Sequence, residues 1–146
     1  MSSYVAVDLR RRVRERGGGI CEYCLIDEVN TFLSHEVEHV ISEKHGGPTA
    51  EENLAWACRA CNLAKGSDIA SLERDTGLLV RFYHPRQDKW GDHFALIGIE
   101  IIPLTPIGAV TARILQFNND LRLQEREALV AAGVYPSATA AKLMEG

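Results

Sequence analysis

Cys58-Arg59-Ala60-Cys61-Asn62-Leu63-Ala64-Lys65-Gly66 is the stretch on which the reading of this chain turns, and it answers Cys21-Glu22-Tyr23-Cys24 upstream. Two thiolates in a C-x-x-C spacing both reach one Zn²⁺ at about 2.3 Å, and two such pairs complete a tetrahedral shell with no open position. A closed shell is structural, so the expectation is a zinc staple joining residues 21–24 to residues 58–61. Both pairs together use every cysteine of the sequence, which leaves none for a disulfide framework. The rival reading, two disulfides or four buried thiols, calls for an oxidising compartment or an apolar pocket. Nothing near residue 1 resembles a signal peptide, and the chain is expected to be cytoplasmic.

The length of 146 residues suits one domain, or a small module with an extension, and 46% hydrophobic content is ordinary for a globular protein. The longest apolar stretch, Phe94 to Pro103, is interrupted by Gly98 and Glu100 and is too short to span a bilayer, so no membrane partner is expected. With 16 Lys and Arg against 20 Asp and Glu, the net charge of −4 does not itself announce a nucleic-acid partner. The distribution says more. Arg10, Arg11, Arg12, Arg14 and Arg16 crowd one segment, and Arg74, Arg81, Arg86 and Lys89 follow the second cysteine pair. Glu22 to Glu52 holds eight acids and one lysine, so a phosphate-binding surface is expected from the flanks. The alternative for the N-terminal arginines is the solvated face of an amphipathic helix.

Val5 to Arg16 reads as a helix stopped by Gly17-Gly18-Gly19, with Val5, Leu9 and Val13 forming a narrow apolar stripe. Thr31 to Ile41 fits two templates: Leu33, Val37, Val40 and Ile41 suit a helix, while β-branched content and the Gly46-Gly47-Pro48 breaker suit a hairpin. A short helix is expected from Arg59 to Gly66, and Ser67 or Asp68 is placed to cap another through Arg74. Leu78–Tyr83 and Phe94–Ile102 read as strands separated by a polar loop, His84 to His93. Thr105-Pro106 opens a helix, and Val110, Ile114, Phe117 and Leu121 continue it toward Gly133. The expected class is α+β.

Taken together, Cys21-x-x-Cys24, Glu38-His39-Val40-Ile41, Gly46-Gly47, Asn53-Leu54, Cys58-x-x-Cys61-Asn62 and Lys65-Gly66 resemble the HNH endonuclease family, over roughly residues 20 to 67. The resemblance implies a ββα-metal core, in which a hairpin and a helix clasp one divalent cation, here stapled by a four-cysteine zinc site. It divides the chain into an N-terminal helix with the HNH core at 1–67 and an α/β C-terminal extension at 68–146, two strands and a long amphipathic helix packed on the core. His39 matches the first His of the motif, Asn53 its middle Asn and Asn62 its final position, where many members have His. Glu38 stands where many members have Asp.

The resemblance gives these residues roles that their chemistry can carry. A neutral imidazole with an ordinary pKa of about 6.5 takes a proton from water at neutral pH, which makes His39 the general base. Glu38 and Asn62 would hold a catalytic Mg²⁺ or Mn²⁺, hard cations that take carboxylate and amide oxygens. Asn53 would clamp the loop that fixes His39. Lys65, Arg86 and Lys89 are candidate phosphate contacts, each set against a merely solvated charge. The implied substrate is DNA, double-stranded by resemblance alone, and a double-strand cut with one site per chain calls for a homodimer or two encounters. A weaker likeness of residues 78–111 to a tail found after the core in small bacterial proteins names no activity, and Ala109 stands where that tail carries an arginine.

Two other classes fit some of the same residues. His35-Glu36-Val37-Glu38-His39 is literally H-E-x-x-H, with His45 at the offset of a third zinc ligand, which would make a metalloprotease if the first two histidines shared a helical face. Against it, Ser42 replaces the expected glycine, and the only methionines are Met1 and Met144. A non-catalytic zinc module binding nucleic acid or protein would keep the cysteines and need neither Glu38, His39 nor Asn62.

Overall fold

The computed structural model describes residues 4–146; Met1 lies outside the described residues. The first helix, α1 (Val7–Arg16), buries Val13 against Leu54 and Trp56, with Val5 and Leu9 packed beside them. That is the stripe legible in the sequence. Gly18 and Gly19 then take left-handed φ of 67° and 74°, a region closed to most side chains, and turn the chain into the first cysteine pair.

A hairpin and a helix follow. Strands β1 (Glu36–His39) and β2 (Leu54–Ala57) pair antiparallel, with Glu36 opposite Ala57 and His39 opposite Leu54. Helix α2 (Arg59–Lys65) leaves β2 at once, N-capped by the Cys58 sulfur and ended at Gly66. The ambiguity over residues 31–41 thus resolves as strand. The loop from Val40 to Asn53 carries single helical turns at Glu43–His45 and Glu51–Asn53. Gly47 is packed so tightly that a Cβ there would fall 1.7 Å from the Ile41 carbonyl oxygen.

The extension differs from expectation at five places. Residues Ala70–Leu72 are a strand, β3, paired with β4 (Leu79–Arg81), where a capped helix was expected. A short helix α3 (Trp90–His93) lies in the loop that was read as polar, with Trp90 buried. The run Phe94–Ile102 folds back on itself as β5 (Phe94–Ile97) and β6 (Glu100–Pro103), because Gly98 at φ 64° supplies the turn.

The long amphipathic helix is two helices, α4 (Pro106–Ile114) and α5 (Asp120–Ala131). Its opening is as expected, with Thr105 accepting from the Gly108 amide and proline in the first turn. It breaks where Gln116 takes φ 56° and Asn119 caps a new start. Asn118 is drawn out of the helical path to hydrogen-bond both the N–H and C=O of Ile101. The apolar period therefore ends at Phe117, which is buried, and Leu121 is exposed. A last helix, α6 (Ala138–Met144), had no counterpart in the sequence reading.

The class is α+β, with three two-stranded antiparallel sheets among the described residues. One apolar core joins both parts of the chain: Ile20, Tyr23, Cys24 and Ile26 pack in the same cluster as Tyr83, Trp90, Phe94, Phe117 and Tyr135. Phe94 sits at its centre, with Trp90, Tyr83 and Phe117 ring centroids at 5.2, 5.4 and 5.5 Å. Such ring pairs contribute about 0.5–1.5 kcal/mol each beyond the area they bury. No helix of the described residues is long and apolar enough to cross a membrane.

Candidate active site and zinc centre

The two cysteine pairs converge. All four sulfurs lie within 4.8 Å of one another, and all four residues are buried. The Cys24 and Cys58 sulfurs are 3.7 Å apart, close to the roughly 3.8 Å edge of a tetrahedron built from 2.3 Å Zn–S bonds. Main-chain N–H groups of Cys24 and Cys61 point at the sulfurs of Cys21 and Cys58, at 3.5 and 3.4 Å. The donor set fits a structural zinc.

A buried arginine completes this centre. Arg122, on α5, donates through Nη2 to the Cys61 sulfur at 3.4 Å and more weakly to Cys58 at 3.9 Å, while Nη1 reaches the Leu115 carbonyl. Four thiolates on one Zn²⁺ carry a net charge of about −2, and Arg122 is the cation set against it. The sequence reading missed it. Arg122 and Arg126 fall at i and i+4, but only the helix break at 115–119 turns them inward.

The second centre lies over β1 and α2. Glu36, Glu38, His39, Glu43 and Asn62 line a cleft of about 460 Å³, together with Lys44, Gly66 and Ser67. Glu36 and Glu38 project from the same side of β1, as alternation requires, and α2 lies across that side: Asn62 Nδ2 donates to Glu36 at 2.5 Å, and Lys65 pairs with Glu38 one turn later. His39 hydrogen-bonds Thr49 Oγ1 through Nε2 at 2.9 Å, and that nitrogen is 4.0 Å from a Glu43 carboxylate oxygen. Beneath the cleft, Asn53 makes three hydrogen bonds to the loop: its oxygen accepts from the Ile41 N–H, and its nitrogen donates to the Ile41 and Pro48 carbonyls.

The HNH endonuclease family model matches residues 21–68. That segment is an HNH domain. No curated protein and no solved structure matches the chain. The HNH domain points to a nuclease-family function and hence to a nucleic-acid substrate.

Within the HNH domain, the cleft brings together Glu38, His39 and Asn62, with Asn53 behind them; Lys65, Arg86 and Lys89 are placed otherwise. Lys65 is not available to phosphate and is not solvated either. It is 1% exposed, lies 2.5 Å from Glu38 Oε1 in a charge contact not aligned as a hydrogen bond, and donates to the carbonyls of His39 and Val40. Glu38 is 3% exposed and accepts from the Tyr23 hydroxyl at 2.7 Å on its other oxygen. Burial pushes the Glu38 carboxyl above its ordinary range, with Lys65 and Tyr23 pulling the other way. The same burial, together with the Glu38 charge, pushes the Tyr23 phenol far up, so it remains a donor.

Arg86 is largely covered and ion-paired with Glu22, whose other oxygen accepts from the Trp56 amide, so it ties the extension to the zinc knuckle. Burial, and then Arg16, push its pKa down to about 10. Lys89 is exposed, on a separate groove of about 480 Å³ that it shares with Arg16 and Lys142. The N-terminal arginines are also engaged within the chain. Arg12 pairs with Glu51, Arg14 with Glu28 and Arg11 with Asp8, Arg16 donates to the Glu51 and Leu54 carbonyls, and Arg10 lies over the Trp56 ring.

The H-E-x-x-H residues do not share a helical face. Glu36 to His39 is strand, and His35 is fully buried with Nε2 against the Ile26 carbonyl. Four residues that the sequence reading gave no place in the HNH site now belong to its description: Glu36, Glu43, Lys44 and Thr49. Glu36 had a signal, its i, i+2 relation to Glu38 on a strand; Thr49 had none, since its approach to His39 depends on the loop path.

Proposed function

We propose that the chain is an endonuclease that hydrolyses phosphodiester bonds of DNA, with His39 as general base, Glu38 and Asn62 as the residues that hold one Mg²⁺ or Mn²⁺, and Asn53 as the clamp on the loop carrying His39. The observation that supports it best is the acidic, oxygen-rich cleft lined by Glu38, His39 and Asn62 on the hairpin and helix of an HNH domain. A hard cation takes one or two protein oxygens and keeps several waters, and the cleft offers a carboxylate and an amide oxygen without the tight closure of the thiolate site. When bound, the cation supplies positive charge to the scissile phosphate and the leaving oxygen.

His39 takes the proton of an attacking water as its oxygen forms the new bond to phosphorus; the P–O bond to the leaving oxygen breaks, and that oxygen takes a proton from solvent. Thr49 holds the ring by Nε2, which leaves Nδ1 for that proton when the Thr49 hydroxyl accepts. Double-stranded DNA is the proposed substrate and the cytoplasm the proposed compartment. One cleft per chain cuts one strand, so a double-strand break takes a homodimer or two encounters.

The test is conversion of supercoiled plasmid by the wild type and His39→Ala, side by side, in Mn²⁺ and in EDTA. Metal-dependent nicking or linearisation that the variant lacks supports the reading. Intact plasmid with folded, zinc-loaded protein goes against it. That result would favour a zinc module that binds without cleaving.

A further inference from the structure

We infer that Glu36 is a positioning residue for the cleft: its carboxylate fixes the amide of Asn62 so that the oxygen, and not the nitrogen, is offered to a bound divalent cation. This inference rests on the nuclease reading of the cleft.

An asparagine amide has two ends of similar shape and opposite use. Its oxygen can join a hard cation's shell, while its NH₂ carries two hydrogens and repels one. A residue asked to hold Mg²⁺ or Mn²⁺ through an amide therefore needs something that decides which end faces the cation. Glu38 does not supply this, because the side chains it meets are Lys65 and Tyr23 and not Asn62. Glu36 can. An ionised carboxylate only accepts, so the end of Asn62 that lies 2.5 Å from Glu36 Oε2 must be Nδ2. With Nδ2 committed there, Oδ1 is the end left for the cleft that Asn62 lines.

The carboxylate is itself held. Arg59 Nη1 lies 3.5 Å from Oε1, so one oxygen of Glu36 is steadied from the start of α2 and the other addresses Asn62 one turn on. The strand register makes this possible: Glu36 and Glu38 stand on the same face of β1, and Asn62 and Lys65, three residues apart on α2, meet them in order. The inner pair, Glu38 with Lys65, is buried, and the outer pair, Glu36 with Asn62, opens to the cleft. With the Glu36 side chain 39% exposed, replacing it exposes no core.

The experiment is Mn²⁺ titration of the zinc-loaded protein, read as free Mn²⁺ by electron paramagnetic resonance, with zinc content and thermal unfolding recorded for every variant. Glu36→Leu should bind Mn²⁺ about 10–100-fold more weakly, the usual loss for a partner that orients a metal ligand. Glu36→Thr should repeat that loss with a side chain that suits the strand. Glu36→Gln should stay within a few-fold of wild type, since its amide oxygen still accepts from Nδ2. A purely structural role would lower the unfolding temperature and leave the affinity of the folded fraction unchanged. Equal affinities in wild type and Glu36→Leu overturn the inference while the nuclease reading stands. Equal, large losses in Glu36→Gln and Glu36→Leu overturn it as well, since they make the carboxylate a ligand in its own right. A wild type that binds no Mn²⁺ removes the reading of the cleft and this inference with it.

Discussion

Lys65→Met tests the centre of the fold and of the site at once. Methionine keeps most of the stem and removes the ammonium, which leaves Glu38, 3% exposed, with only the Tyr23 hydroxyl as partner. The folded variant escapes an unpaired buried charge by protonating Glu38. For a carboxyl with an unfolded pKa near 4.3, holding the proton costs about 2.3 kcal/mol at pH 6 and about 4.4 kcal/mol at pH 7.5. Removing one member of a buried pair costs about 3–5 kcal/mol in general, so the two routes to the figure agree. The sign follows from linkage: the Glu38 pKa in the folded variant stands above its unfolded value, so stability is fully present below about pH 4 and is lost as pH rises toward the folded pKa. Urea unfolding of the zinc-loaded proteins, followed by the fluorescence of the buried Trp56 and Trp90, should therefore show a larger deficit at pH 7.5 than at pH 6, by about 2 kcal/mol. Adding Glu38→Gln should flatten that dependence. A deficit below about 1 kcal/mol, equal at both pH values, would refute the pairing. If the variant kept its stability and lost salt-dependent DNA affinity, Lys65 would be a phosphate contact after all.

Three further outcomes are expected. Arg122→Met should weaken zinc binding about 10–100-fold in a chelator competition, because it removes the cation set beside the Cys61 and Cys58 sulfurs; unchanged affinity would make the arginine a helix-packing residue only. Asn53→Ala should cost more than about 2 kcal/mol, since it strips partners from three loop backbone groups, and the Ile41 amide should exchange faster with solvent. The Arg81 fork holds Asp88 below the usual carboxylate range. That contribution is present above about pH 4 and lost as pH falls through the lowered value, so the Asp88 carboxyl carbon should titrate at higher pH in Arg81→Gln than in wild type.

The parts of the molecule legible in the sequence were those with short-range causes. Cys-x-x-Cys spacing, the stop at Gly66, the proline opening at Thr105 and the stripe on α1 each depend on residues within a turn or two, and each stands in the structure. The coarse shape of the site was legible for the same reason, because Glu38, His39 and Asn62 are placed by one hairpin and one helix. What escaped depended on distant partners. Asn118 breaks a helix to satisfy the backbone of Ile101, and no periodicity announces that. Lys65 reads as a surface charge until Glu38 is opposite it, and the N-terminal arginines read as a phosphate-binding flank or a solvated helix face until Glu28, Glu51 and Trp56 are found beneath them.

The zinc knuckle is gripped from outside its own segment. Trp90 donates to the Tyr23 carbonyl, Tyr135 to the Cys24 carbonyl, and Arg122 to the Cys61 sulfur. The family's recognisable segment is therefore not a portable part in this chain. Cut after residue 68, it would carry its metal ligands and catalytic candidates away intact while losing the wall that keeps them dry, and a fragment made to isolate the chemistry would expose Tyr23, Cys24 and Ile26 to water. Here the extension is the other half of the metal's container, and the proposed hydrolytic site is only as durable as that closure.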